Sequence, residues 1–260
     1  MINSMQNLIE LAKEKGPKKV ALSVAQDPAA LQALERAFKE SIAIPVLFGD
    51  KNKISSNREI YHYENVEDAA REAVLSVRNK KTDILMKGKI KSADFLRTVL
   101  NKEYGIRGEG ILSHVGIFEV PGLNKLIIMS DGGMNISPDE DTLVNITLNA
   151  IKVAKSLKRE SPKVAFFSNL AMKAISILKW KFGLKGKIYS SLMEAFSEEV
   201  DVFIVSHIEA GNIFGKGLLY FGDTSWAGII IGARAPVILP SRADTEEEKF
   251  LSIVAAVAIG

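Results

Sequence analysis

Asp83-Ile84-Leu85-Met86-Lys87-Gly88 is a short apolar strand that runs into a glycine turn, and the helical stretch Ser92 to Leu100 follows at once. A strand that gives way directly to a helix is the unit of a parallel sheet. Upstream, Asn65 to Asn79 places Val66, Ala69, Ala70, Ala73, Val74 and Val77 at the spacing of a helix with one buried face. Before it, Pro45-Val46-Leu47-Phe48 is a strand ending at Gly49-Asp50, and Val20 to Val24 is another. Between those two, Asp27-Pro28 supplies an N-cap and a first-turn proline for a helix reaching about Ser41. Short strands alternating with helices of about ten residues predict an α/β chain with mainly parallel sheets.

The rhythm breaks once. Gly116 to Pro121 and Lys125 to Met129 read as two strands joined by a Gly-Leu-Asn turn, an antiparallel hairpin. The β/α alternation then resumes with a helix over 138–157, a strand over 163–168, helices over 169–182 and 190–197, a strand over 201–205 and a helix over 211–219. Leu218 to Phe221 fits neither period cleanly. Ala227 to Ile231 and Pro236 to Leu239 read as strands, and Thr245 to Ala258 closes as a buried helix. Ser92 is expected to cap its helix. Ser130 to Pro138 and Gly232 to Ala235 are hinge candidates, dividing the chain into 1–130 with 234–260 and an intervening 131–233.

The bulk numbers bound the function. A length of 260 residues suits one large α/β domain or two smaller ones. Basic residues number 34 against 31 acidic, so the whole-chain balance leaves no strong field for nucleic acid, while small anions remain suitable ligands. The absence of cysteine excludes disulfides, thiolate-bound zinc and a cysteine nucleophile. His62, His114 and His207 share no spacing, and no metal site is expected. No run approaches the roughly 20 apolar residues of a membrane span, and Met1 to Lys19 lacks the apolar centre of a signal peptide. A cytoplasmic protein without a membrane or nucleic-acid partner is the expectation.

Several turns could hold a ligand. Lys87-Gly88-Lys89 follows a strand, where glycine admits a close approach and lysine supplies charge; an ordinary solvated turn is the plainer alternative. Ser241-Arg242 stands where the strand Pro236 to Leu239 meets the last helix, so a hydroxyl and a guanidinium face any anion at that helix start. Asp244, Glu246, Glu247 and Glu248 follow, and acidic residues there also simply suit the helix dipole. Asn135, after Asp131-Gly132-Gly133, could donate to an oxyanion, or belong to a plain loop. Asn212, in Glu209-Ala210-Gly211-Asn212, could open a helix against a ligand, or merely cap it. His114 and Arg97 read by themselves as structural and surface residues. No Gly-x-Ser-x-Gly elbow or Walker loop is present.

Taken together, Val24-Ala25-Gln26-Asp27, Leu85-Met86-Lys87-Gly88, Phe95 to Glu103, Leu112-Ser113-His114-Val115, Phe118-Glu119, Ile208 to Asn212 and Ser241-Arg242-Ala243-Asp244 resemble the phosphate acetyl/butyryl transferases, the butyryl branch more closely. The resemblance is collinear over nearly the whole chain. It implies a two-domain fold like that of isocitrate and isopropylmalate dehydrogenases, with one domain inserted into the other and the site in the cleft between them. It implies a homodimer or higher homo-oligomer that interconverts a short-chain acyl-CoA plus phosphate with acyl phosphate plus CoA. Coenzyme A is then a substrate, and no cofactor is tightly bound. Arg97 and Arg242 match the phosphate-binding arginines, and Ser241 matches the serine that stabilises the transition state. The catalytic carboxylate falls on Glu248, with Asp244 as a nearer rival. Lys87, Gly88, His114, Asn135 and Asn212 fall in the substrate-binding set. Between Ser168 and Asp201 the chain is shorter than the family pattern, and Asn169-Leu170-Ala171-Met172-Lys173 departs from it. A weakened or regulatory relative that binds CoA or acyl phosphate is therefore the alternative reading. A nicotinamide-dependent dehydrogenase is a third, disfavoured because no carboxylate cluster for a metal-bound hydroxy acid is evident.

Overall fold

The computed structural model describes residues 1–168 and 171–260. Asn169 and Leu170, which open the departure from the family pattern, lie outside the described residues. The chain forms two compact units, Leu8–Glu109 with Ala227–Gly260, and Met1–Asn7 with Gly110–Trp226. The chain passes between units at Asn7/Leu8, Glu109/Gly110 and Trp226/Ala227, whereas the sequence reading places the exchange at 130/131 and 233/234. The reason is the hairpin: β5 (Ser113–Glu119) pairs antiparallel with β6 (Ile127–Ser130) and packs on α5 (Glu140–Ser156), so it belongs to the inserted unit.

The first unit contains most of α1 (Met5–Lys15), then β1 (Lys18–Ser23), α2 (Pro28–Lys39), β2 (Ala43–Gly49), β3 (Ile60–His62), α3 (Val66–Arg78), β4 (Ile84–Lys87) and α4 (Ser92–Val99). It is completed by most of β10 (Ser225–Ile231), β11 (Val237–Ile238) and α9 (Glu246–Ile259). Its strand order is β3-β2-β1-β4-β11-β10. All neighbours are parallel except β10 and β11, which turn back on each other at Ile230 and Val237. Ser23 lies opposite Lys87 and Ile238 opposite Met86, so β1, β4 and β11 end side by side. From Lys249 to Ile259 every residue of α9 is buried, and α2 packs along it. That explains an apolar run with no polar face.

In the inserted unit the order is β5-β6-β9-β7-β8, with β7 (Val164–Phe166), β8 (Gly186–Ile188) and β9 (Val202–Ile204) parallel to one another and β6 parallel to β9. Its core gathers Phe118, Ile127, Met129, Ala165 and Phe203. The remaining helices are α6 (Met172–Phe182), α7 (Leu192–Ser197) and α8 (Ile208–Phe221). Leu218 to Phe221 thus belong to α8. Arg159 is buried, donating to Asp201 Oδ1 at 3.1 Å and Leu126 O at 2.5 Å. Burial pulls its pKa down and the Asp201 charge opposes that. Among the described residues no helix is long and apolar enough to cross a membrane.

Two strands escape the sequence reading. β3 and β8 have three residues each, carry no apolar run and sit at sheet edges. Ser92 is the first helical residue of α4 and not its cap. Lys91 occupies the cap position and makes no side-chain capping bond there.

Candidate active site

In the first unit, three helix starts follow the carboxyl ends of adjacent parallel strands. α2 follows β1, α4 follows β4 and α9 follows β11. This is where open α/β sheets receive ligands, because the strand ends splay and the helix N-termini offer positive dipole ends. Local chemistry fixes each turn. Asp27 accepts from the backbone N–H groups of Ala29 and Ala30 and caps α2. Gly88 leaves β4 so close to β1 that a Cβ there would stand 2.3 Å from Val24 O, a distance no side chain tolerates.

Lys87 is 4% exposed at the end of β4. Among the described residues its ammonium reaches only the carbonyls of Gly88 and Ile90, both at 3.4 Å, which leaves it poorly neutralised. Burial lowers its pKa. Asp27 opposes the shift, Arg242 and Lys249 reinforce it, and Asp244 opposes it again. Three cations and two carboxylates therefore meet in one field. Opposite Lys87 across the sheet register, Ser23 Oγ is buried with no hydrogen-bond partner among the described residues.

The Ser241–Asp244 turn supplies the exposed part. The amide of Ser241 donates to Asp244 Oδ2 at 2.7 Å, and Ser241 Oγ accepts from the amide of Ala243 at 3.3 Å. Ser241 and Arg242 are both exposed. Lys249 Nζ, buried one turn into α9, donates to Asp244 O at 2.7 Å and so holds the turn from below. The two rival carboxylates differ in situation. Glu248 Oε2 accepts from Thr245 N at 2.6 Å and Thr245 Oγ1 at 2.9 Å, closing a capping box on α9. Asp244 sits against Ser241 itself. Arg97 is placed differently: it is exposed in the last turn of α4, paired with Asp94 Oδ1 at 2.8 Å.

The inserted unit holds the other sequence candidates. Asp131 is buried and accepts from the amides of Gly133, Met134 and Asn135. Asn135 Nδ2 donates to Leu112 O at 2.9 Å and Asp131 Oδ2 at 2.5 Å. Both amide hydrogens are thus spent, and in this arrangement Asn135 ties the loop rather than offering a donor to an oxyanion. Gly132 and Gly211 touch: a Cβ on Gly211 would lie 2.6 Å from Gly132 Cα. That contact, not a phosphate cradle, accounts for glycine at both positions. A small cavity of about 70 Å³ beside it is lined by His114, Asn212, Lys216 and Trp226 among others. His114 and Asn212 thus come together.

Sequence reasoning misses Ser23, Asp27 and Lys249 as members of the charged cluster. Lys249 follows three glutamates and reads as part of a solvated helix start. Its one signal is the apolar run that begins immediately after it.

The profile of the phosphate acetyl/butaryl transferase family matches residues 60–174. A phosphate butyryltransferase of Clostridium acetobutylicum is 35% identical over 297 aligned positions, covering 100% of this chain and 99% of the relative. The chain belongs to the phosphate acetyl/butyryl transferase family. A phosphate acetyltransferase of Thermotoga maritima is 33% identical, covering 96% of this chain and 97% of its own. A branched-chain phosphotransacylase from Enterococcus faecalis V583 superposes with a TM-score of 0.80 at 27% identity, over 93% of this chain and 98% of that one. As a family member the chain is an acyltransferase enzyme with a phosphate acyltransferase function. Because 260 residues align over 297 positions, the butyryltransferase carries segments that this phosphate acyltransferase lacks.

Proposed function

We propose that the chain transfers a short acyl group between coenzyme A and phosphate, and that the Lys87–Arg242 field receives the phosphate. The observation that carries this reading is the buried, under-neutralised Lys87 ammonium, which lies within the electrostatic reach of Arg242. A buried cation without a full set of acceptors favours an arriving anion. In the direction of acyl-CoA synthesis, a carboxylate takes the thiol proton and the thiolate attacks the acyl phosphate carbonyl. The oxyanion then collapses with cleavage of the C–O bond to phosphate. Lys87 and Arg242 neutralise the departing phosphate, and the Ser241 hydroxyl donates to the developing oxyanion, while Arg97, paired with Asp94, stays outside this charge cluster.

Asp244 is the carboxylate we assign as base because it belongs to the Ser241 turn itself, where its Oδ2 accepts the Ser241 amide, while Glu248 Oε2 accepts two bonds from Thr245 in the α9 cap. Asp244→Asn is expected to lower turnover about a hundredfold or more. Glu248→Gln is expected to keep most of the activity and to lose no more than about 0.5 kcal/mol of stability, since glutamine closes the same capping box and only the first-turn charge is lost. Steady-state kinetics beside thermal melts of both variants check this, and the reverse pattern assigns the base to Glu248.

The overall reading is tested by phosphate-dependent release of free thiol from butyryl-CoA and acetyl-CoA. Release with either supports it; none above background with any acyl-CoA favours a binding relative. A homo-oligomer is also part of the proposal, supported by the outward face of α8, where Ile213, Tyr220 and Phe221 are exposed at helical spacing. A monomer in sedimentation at micromolar concentration would remove that part.

A further inference from the structure

The near balance of charge over the whole chain hides a local asymmetry. Between Thr142 and Met193 the sequence holds nine lysines and one arginine against a single acidic residue, Glu160. Some of these cations are already engaged. Arg159 is buried on Asp201, Lys163 donates to Glu198 O, and Lys173 and Lys187 pair with glutamates. Lys152, Lys155, Lys158, Lys179, Lys181 and Lys185 are exposed and join no ion pair among the described residues.

These free lysines surround apolar surface. A shallow groove of about 540 Å³ is lined by Leu148, Ile151, Lys152, Lys155, Phe182 and Leu184, bringing the end of α5 to the end of α6. Two residues before Phe182, Trp180 is 83% exposed, flanked by Lys179 and Lys181. Basic residues in the last turn of a helix suit its dipole, which accounts for Lys155, Lys179 and Lys181 by themselves. It does not account for an indole set in water with a lysine on either side of it in sequence, at the same helix end as the half-exposed Phe182.

We propose that this face docks reversibly on an anionic bilayer surface, with the lysines facing lipid phosphates and Trp180 and Phe182 entering the headgroup layer. Amphipathic rings settle at that depth, and lysine stems can lie along apolar surface with their charges in water. A second copy of the same face is disfavoured, because like charges would meet. A nucleic acid or a phosphorylated protein is also disfavoured. Directional phosphate recognition uses the arginine fork, and all the accessible cations here are lysines. A fluid surface asks only for charge and a few apolar side chains.

The test is co-sedimentation of the full chain with vesicles of phosphatidylglycerol and phosphatidylcholine, read beside Trp emission. Binding is expected to the anionic vesicles and not to phosphatidylcholine alone. It should weaken by about tenfold or more as salt rises and shortens the Debye length, with a blue shift on binding. The double substitution Lys179→Glu, Lys181→Glu is expected to lower partition about tenfold or more, while melting temperature and thiol-release activity stay at the parent level. Trp180→Phe should retain most binding and lose the blue shift, since the chain's other tryptophan, Trp226, is half-buried inside the inserted unit. Equal binding to neutral vesicles, unchanged partition in the charge-reversed variant, or an unmoved Trp180 emission would each overturn the proposal. Retention on RNA with no vesicle binding would overturn it in favour of a polyanion.

Discussion

Arg242→Ala is expected to lower kcat/KM for phosphate about a hundred- to a thousandfold, the usual cost of removing one preorganised charge donor. The side chain is exposed in a short turn, and that turn is held by other groups. Asp244 binds the Ser241 amide, Lys249 holds Asp244 O, and Thr245 with Glu248 caps α9. Truncating an exposed turn residue in such a frame changes stability by about 0.5 kcal/mol or less. A large kinetic loss with an unchanged melt would therefore report chemistry and not folding. Ser241→Ala is expected in the same range, with the loss in kcat, because a hydroxyl aimed at a developing oxyanion acts chiefly in the transition state. Near-normal turnover in both variants would reject the turn as the catalytic centre.

Lys87→Met should separate stability from function most sharply. The volumes are similar, so the β4 end can close around methionine with little repacking. Activity is expected to fall about a hundredfold or more, since a buried cation that meets the phosphate is gone. Stability is expected to rise by about 1 kcal/mol, because a poorly paired buried charge is replaced by an apolar group. The sign comes from the titration. The folded pKa of Lys87 lies below its unfolded value, so the unfolded chain binds the proton more tightly. The charged ammonium then opposes folding, and the penalty eases as pH rises from the folded pKa toward the unfolded one. The stability gap between parent and Lys87→Met should accordingly narrow at alkaline pH. Added phosphate should raise the melting temperature of the parent and leave the variant nearly unmoved. A variant less stable than the parent at neutral pH, or equally protected by phosphate, would contradict the assigned role.

Features legible in the sequence have local causes, and those that escape it have distant ones. β1, β2 and β4 are legible because each is a short apolar run closed by a turn residue. β3 and β8 are not, since Ile60-Tyr61-His62 and Gly186-Lys187-Ile188 become strands only through the neighbour they join. Ser241, Arg242 and Lys87 stand out because strand, turn and helix are consecutive there. The burial of α9 depends on tertiary packing, such as that of α2 along it, between residues some two hundred positions apart. Asn135 shows the converse. Its position after two glycines suggests a donor, yet Asp131 and Leu112 take both amide hydrogens. The resemblance to acyltransferases reaches the family because several such local motifs are collinear, even where no single one is decisive.

The most direct measurement is a crystal structure of the protein grown with coenzyme A and phosphate. Phosphate density within about 3 Å of both Lys87 Nζ and the Arg242 guanidinium is the expected result. Phosphate ordered at another place on the chain, with Lys87 still facing only the Gly88 and Ile90 carbonyls, would contradict the assignment.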